Sequence, residues 1–110
     1  MVYIVIPVHN EREYITRAVF ETIKVMETIK ARWGADYRII LSEDGSTDGS
    51  NVVCMQLSQE QPQVVYLHSD KRLGKGGALK KAVSSLPSNG IFFHIDADLS
   101  VHPRFIPPGH

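Results

Sequence analysis

Four short apolar runs alternate with three helical patterns along this chain, and that alternation constrains the fold more than any other feature. The runs are Val2 to Ile6, Tyr37 to Leu41, Val64 to Leu67 and Gly90 to Ile95. Each is short, rich in β-branched or aromatic residues, and followed by polar, Gly or Pro residues, as strands are. Pro7 reads as the end of the first run. Between the first two runs, Ile15, Ala18, Val19, Ile23, Met26 and Ile29 recur at spacings of three and four. That period predicts an amphipathic helix over about Glu13 to Ala31. Ser46-Thr47-Asp48 offers an N-cap for a second helix with Val53 and Leu57 on one face. Ala78, Leu79, Ala82, Val83 and Leu86 mark a third, from about Gly76 to Leu86. The order β-α-β-α-β-α-β requires right-handed crossovers and a mostly parallel sheet covered by helices, an α/β fold. At 110 residues, 1–110 reads as a single domain.

Charge and cysteine content remove several function classes. Lys and Arg number 12, as do Asp and Glu, for a formal net charge of +0. That balance argues against a nucleic-acid partner held by bulk charge. The one cysteine, Cys54, excludes an intrachain disulfide and a CxxC motif, and reads as a small buried hydrophobe. No apolar stretch approaches the roughly 18 residues of a transmembrane segment, and the first run has no basic region before it. A soluble, reducing compartment, the cytoplasm, is expected.

Parallel sheets bind ligands at the carboxyl ends of their strands. Here those ends read Pro7-Val8-His9-Asn10-Glu11, Ser42-Glu43-Asp44-Gly45-Ser46, Ser69-Asp70-Lys71-Arg72-Leu73-Gly74-Lys75-Gly76-Gly77 and Asp96-Ala97-Asp98-Leu99-Ser100. Polar and acidic groups thus converge on one edge. Asp96 and Asp98 are two apart, so in extended backbone their carboxylates share a side. Such a pair either holds a hard divalent ion such as Mg²⁺ or Mn²⁺, or is a solvated acidic turn. Lys71, Arg72 and Lys75 stand with Gly74, Gly76 and Gly77 at the start of a helix, where N–H groups and close backbone approach suit an anion. The same residues also suit a basic turn, and they match neither GxGxxG nor the phosphate loop. Asp44 fits turn chemistry, or acceptance from a nucleobase or ribose. His94, inside a strand, reads as a packing residue.

Together these motifs resemble the N-terminal half of a family 2 glycosyltransferase of the GT-A fold. Ile4 to Glu11 is similar to that family's opening strand and its Pro-x-x-Asn-Glu signature. Glu43 to Asp48 resembles the Asp-Asp-Gly-Ser-x-Asp block, Arg72 to Ala78 the Gly-rich segment, and Asp96 to Ser100 the DxD motif. Asp-Ala-Asp-Leu-Ser followed by His-Pro looks most like the dolichyl-phosphate mannose and glucose synthases. The resemblance implies a sheet in the order 3-2-1-4 with helices on both faces. It also implies that Pro7, Val8, Asn10 and Glu11 line a nucleoside pocket and that Asp44 contacts the base. Gly74 and Lys75 would lie near the pyrophosphate, with Ala97 beside the nucleotide. Asp96 and Asp98 would hold Mg²⁺ or Mn²⁺ on the diphosphate, with Ser100 a further ligand. Glu43 stands where the family has Asp and His9 where an aromatic is frequent, which leaves the base open.

What the resemblance implies of function is metal-assisted, inverting transfer of a sugar from a GDP- or UDP-sugar to an acceptor such as a polyprenyl phosphate, at the cytoplasmic face of a membrane. Relatives continue past DxD into an acceptor-binding half that supplies the general base, so no catalytic base is named here. The chain reads as a donor-binding half, completed by further chain or by a partner, with apolar surface that favours homo-oligomers. A nucleotidyltransferase would carry its Gly-rich loop after the first strand, not the third. A non-catalytic nucleotide-binding or interaction module is the alternative.

Overall fold

The computed structural model describes residues 1–87 and 89–97. Its elements alternate as the apolar periodicity demands: β1 (Val2–Val8), α1 (Arg12–Trp33), β2 (Tyr37–Asp44), α2 (Ser50–Glu60), β3 (Val64–Ser69), α3 (Gly74–Ser84) and β4 (Ile91–His94). The described strands form one parallel sheet in the order β3-β2-β1-β4, as expected. Its register aligns Ile4 with Ile39 and Phe93, and Ile39 with Val64. Side chains alternate between the faces of a strand. Ile4, Ile6, Val8, Ile39 and Leu41 therefore pack with Ile15, Val19 and Met26 of α1 and with Cys54 and Leu57 of α2. Tyr3, Val5 and Ile40 face the other way, against Leu79 and Ala82 of α3. Helices thus cover both faces. Full burial of each such Ile or Val contributes about 1.5–3 kcal/mol.

Two strands outrun their apolar runs. β1 continues through Pro7 to Val8, paired with Ser42 and Glu43 of β2, so Pro7 does not end the strand. The reason is local. The carbonyl of Val5 accepts from Ile95 N on the β4 side. Pro7, two residues on, faces the same side, where the register with β4 has already ended. A proline is tolerated where no ladder donor is needed. β2 likewise runs on through Ser42, Glu43 and Asp44, all buried.

The helix ends also differ from expectation. α2 starts at Ser50 after a left-handed Gly49, not on Ser46-Thr47-Asp48, and α3 starts at Gly74 rather than near Gly76. On β4, His94 is exposed rather than buried in the core. Ile91 and Phe93 are more than half exposed, and an apolar hollow of about 450 Å³ lies between β4 and α1, lined by Ile4, Val25, Met26, Phe93 and Ile95. Among the described residues no helix is long and apolar enough to cross a membrane.

Gly90 precedes β4 where the chain passes the Tyr3 ring, which is itself stacked on Phe92 at 5.2 Å. A Cβ on Gly90 would fall 2.4 Å from that ring. Gly90→Ala should therefore lower unfolding stability by about 1–3 kcal/mol, the usual cost of overpacking, as read by urea denaturation. An unchanged midpoint would show that the Tyr3–Phe92 stack does not hold this edge.

Candidate functional site

The last residues of β2 organise the C-terminal edge of the sheet because their side chains alternate. Ser42 and Asp44 point toward α3, and Ser42 Oγ donates to the Ala78 carbonyl at 3.0 Å. Asp44 meets the start of the same helix. Its Oδ1 accepts from Leu73 N at 2.5 Å, and its Oδ2 accepts from Gly74 N at 2.8 Å and from the Arg72 guanidinium at 2.6 Å. The helix N-terminus thus holds an anion, but that anion is the protein's own carboxylate. Burial of a carboxylate at 2% exposure requires such donors. Gly45 follows with φ at +58°, and a Cβ there would sit 3.2 Å from Arg72 N, so the close approach of the two loops needs glycine.

Side chains of the β1–α1 and β2–α2 loops tie the two together. Asn10 adopts a left-handed φ of 51°, which asparagine tolerates. Its N–H donates to Ser46 Oγ, and its Oδ1 accepts from Thr47 N at 2.7 Å. Glu11 N donates to Ser50 Oγ at 3.1 Å. Asp48 serves the first residue of both helices: Oδ2 accepts from Arg12 N at 3.2 Å and Oδ1 from Ser50 N at 3.0 Å. Burial works to raise the Asp48 pKa, but the hydrogen bonds from Ser50 and Arg12 outweigh it and hold it below 3.8. His9 Nδ1–H donates to the Asp44 carbonyl at 2.6 Å, which leaves Nε2 as acceptor for Asn10 Nδ2 at 3.3 Å.

A cleft of about 220 Å³ opens between these loops and α3, lined by Pro7, Val8, His9, Glu11, Asp44, Arg72, Ala78 and Asp96. Of the residues expected from sequence, Pro7, Val8, Glu11, Asp44 and Asp96 meet there. Asn10 lies outside the lining, exposed, with its amide turned to Thr47. Gly74 reaches the site through its N–H on Asp44, and Lys75 follows it in the first turn of α3. Ala97 is buried in the core on the α1–α2 side. Asp98 and Ser100 lie outside the described residues. Asp96, 9% exposed, is an oxygen donor of the kind Mg²⁺ and Mn²⁺ take. Among the described residues no three His, Cys, Asp or Glu side chains cluster as a metal site.

Sequence reading put His9 at this edge without a role, and did not place Ala78 in the cleft or His68 beside Glu43. The signal for the last was available: aligning Ile39-Ile40-Leu41 with Val64-Val65-Tyr66 puts Glu43 opposite His68.

A parallel α/β sheet with an acidic and basic cleft at its carboxyl edge has the Rossmann-like form, a fold whose ligands bind at that edge. The model of glycosyl transferase family 2 matches residues 3–109, and the chain belongs to that family. Glycosyltransferase AglD of Haloferax volcanii is 32% identical over 106 residues, covering 96% of this chain and 16% of the relative. The solved structure described as mannosyltransferase PcManGT from Pyrobaculum calidifontis in complex with GDP-Man and Mn²⁺ superposes with a TM-score of 0.71 at 21% identity. That match covers 88% of this chain and 27% of the other, and it shows a shared GT-A fold. The chain thus spans a minor part of the length of both.

Two substitutions check this geometry. Asp44→Asn keeps the shape but removes the charge and one acceptor, so stability should fall by about 1.5–3 kcal/mol in urea denaturation. A neutral result would mean that α3 is held without it. Asp48→Ala should cost about 1 kcal/mol at neutral pH. Because the folded pKa of Asp48 is depressed, its contribution is present above 3.8 and lost as pH falls through the lower folded value. The gap between wild type and variant should close on acidification, and a gap that persists would assign the loss to packing.

Proposed function

We propose that this chain is the donor-binding half of a nucleotide-sugar glycosyltransferase. The observation that carries the reading is the convergence of Asp44, Arg72, the start of α3 and Asp96 on one cleft in a family 2 fold. Arg72 offers a guanidinium with five N–H donors to a diphosphate. Pro7, Val8 and Ala78 offer apolar contacts to a nucleoside. The transfer itself joins an acceptor oxygen to the anomeric carbon as the bond to the diphosphate breaks, with inversion, and a base takes the acceptor's proton. That base belongs to an acceptor half beyond the single domain of this chain, which spans 16% and 27% of the proteins it matches.

The oxygen donor at Asp96 fits a hard divalent ion, Mg²⁺ or Mn²⁺, held with Asp98. When bound, such an ion offsets the charge of the leaving diphosphate. A GDP-sugar donor is supported by the GDP-Man in the structural neighbour, and a UDP-sugar fits the same chemistry. A polyprenyl-phosphate acceptor, at the cytoplasmic face of a membrane, is supported by the Asp-Ala-Asp-Leu-Ser and His-Pro sequence. The apolar hollow beside β4 favours self-association of the isolated chain.

Calorimetry with GDP and UDP, with and without Mn²⁺, tests the reading. Binding should be weak, metal-dependent and selective for one base, because an open cleft covers little of a ligand. Asp98→Ala should remove the Mn²⁺-dependent part while leaving the far-UV circular dichroism unchanged. No binding of either nucleotide would sink the donor-site reading. Retained Mn²⁺ dependence in the variant would sink the assignment of the metal to this pair.

A further inference from the structure

β3 is the outer strand of the described sheet, and it leads directly into the loop that delivers Arg72 to Asp44. The register sets His68 beside Glu43, whose side chain is fully buried. The Glu43 carboxylate accepts from Ser46 N at 2.5 Å and from the Tyr66 hydroxyl at 3.4 Å, and it contacts His68 Nδ1. The other ring nitrogen, Nε2, lies 2.6 Å from Oδ1 of Asp70. A neutral imidazole has one donor nitrogen and one acceptor. Here both nitrogens face carboxylate oxygens, so only the imidazolium satisfies both contacts. The ring is 39% exposed, which gives it a route to exchange its proton with solvent.

We propose that His68 is a positioning residue for the cleft: as an imidazolium bridging buried Glu43 to Asp70, it anchors the loop 70–73 and so holds Arg72 and the first N–H groups of α3 on Asp44. Asp70 starts that loop, and Arg72, Leu73 and Gly74 are the three donors to Asp44 that follow it. Ser69 holds the start of the link through the sheet and through its hydroxyl on the Lys71 carbonyl at 2.7 Å, and the Asp70 contact with His68 is the tie that adds a side-chain anchor to the residues leading to Asp44. The hydrogen bonds to Glu43 and then to Asp70 raise the His68 pKa above 6.5. With a raised folded value, the bridge is complete below 6.5 and lost as pH rises through the folded pKa. Lys81 of α3 donates to the His68 carbonyl rather than the ring. Cys54 of α2 and Tyr66 of β3, beside Glu43, are each pushed up to about 12, chiefly by burial, and remain neutral. The anchoring is independent of ligand; its effect on nucleotide affinity rests on the donor-site reading above.

Amide hydrogen exchange of Leu73 and Gly74, corrected for intrinsic base catalysis, reads the anchor without ligand. As pH rises above 6.5 and through the His68 ring titration followed by NMR, wild-type protection should fall roughly threefold to tenfold. His68→Arg, a permanent cation with donors for both carboxylates, should keep the protection across the range. Asp70→Ala changes a 93% exposed side chain and spares the buried core, so folding is retained. Its protection should be low at every pH. Flat wild-type protection, or an Asp70→Ala protein that matches wild type at low pH, would overturn the proposal. Calorimetry with GDP and Mg²⁺ over the same range separates the two readings. If GDP fails to bind while exchange behaves as stated, the donor site falls and the anchor stands. If GDP binds with an affinity and protection that ignore both pH and Asp70→Ala, the anchor falls and the donor site stands.

Discussion

A carboxylate buried at the end of a central strand must find donors, and the way Asp44 finds them shapes the functional edge of this protein. Its two oxygens take the N–H groups of Leu73 and Gly74 and the guanidinium of Arg72. Hydrogen bonds to an ionised acceptor are about twice as strong as neutral ones, and a helix N-terminus adds a favourable field. The start of α3 is therefore pinned to β2 by electrostatics, while Leu79 and Ala82 further along pin the same helix by packing. Ala78, between the two anchors, is placed on the cleft wall with its carbonyl on Ser42. Without Asp44 the wall would keep only the packing anchor and the Ser42 hydrogen bond.

The opposite wall is built differently. No regular element spans from β1 to α1, so the loop is held by side chains acting as backbone substitutes. Asn10, Ser46, Asp48 and Ser50 each satisfy an N–H that a ladder or a helix would otherwise satisfy. Such local pairings are the reason Asn, Asp and Ser are favoured at turns and helix starts. The result is a cleft whose two sides are fixed before any ligand arrives. Preorganisation of that kind lowers the entropy cost of binding.

The alternation of strands and helices and the helix faces were legible in the sequence because the apolar periods of two and of three to four are set by burial alone, whereas the sheet order came from the family resemblance. Ile4, Ile39 and Val64 announce themselves. The strand ends were less legible because Ser42, Glu43 and Asp44 are polar yet buried, and only their partners on β3, α3 and the loops make that possible. Pro7 misled for a related reason: whether its missing donor matters depends on which neighbour has already ended. Convergence of Glu11, Asp44 and Asp96 on one edge followed from topology. The division of labour among them did not, since Asn10 and Asp44 act through contacts to residues more than 25 positions away. His94 reads as apolar by its neighbours, but β4 stands at the sheet edge among the described residues and leaves it exposed.

These pairings also order the charges of the site. Glu43 and Asp44 follow one another, yet alternation sends the first toward the His68 imidazole and the second toward the Arg72 guanidinium, so two adjacent buried carboxylates are paired on opposite faces. Their mutual repulsion is thereby screened at the place where a diphosphate would add further negative charge. Arg72 is half exposed, and its contact with Asp44 uses one terminal nitrogen of a guanidinium with five donors. An anion entering the cleft would meet a cation already oriented by Asp44 instead of one that must be ordered on arrival. The carboxylate and the guanidinium act as one unit, with the buried acid fixing the direction in which the base presents itself.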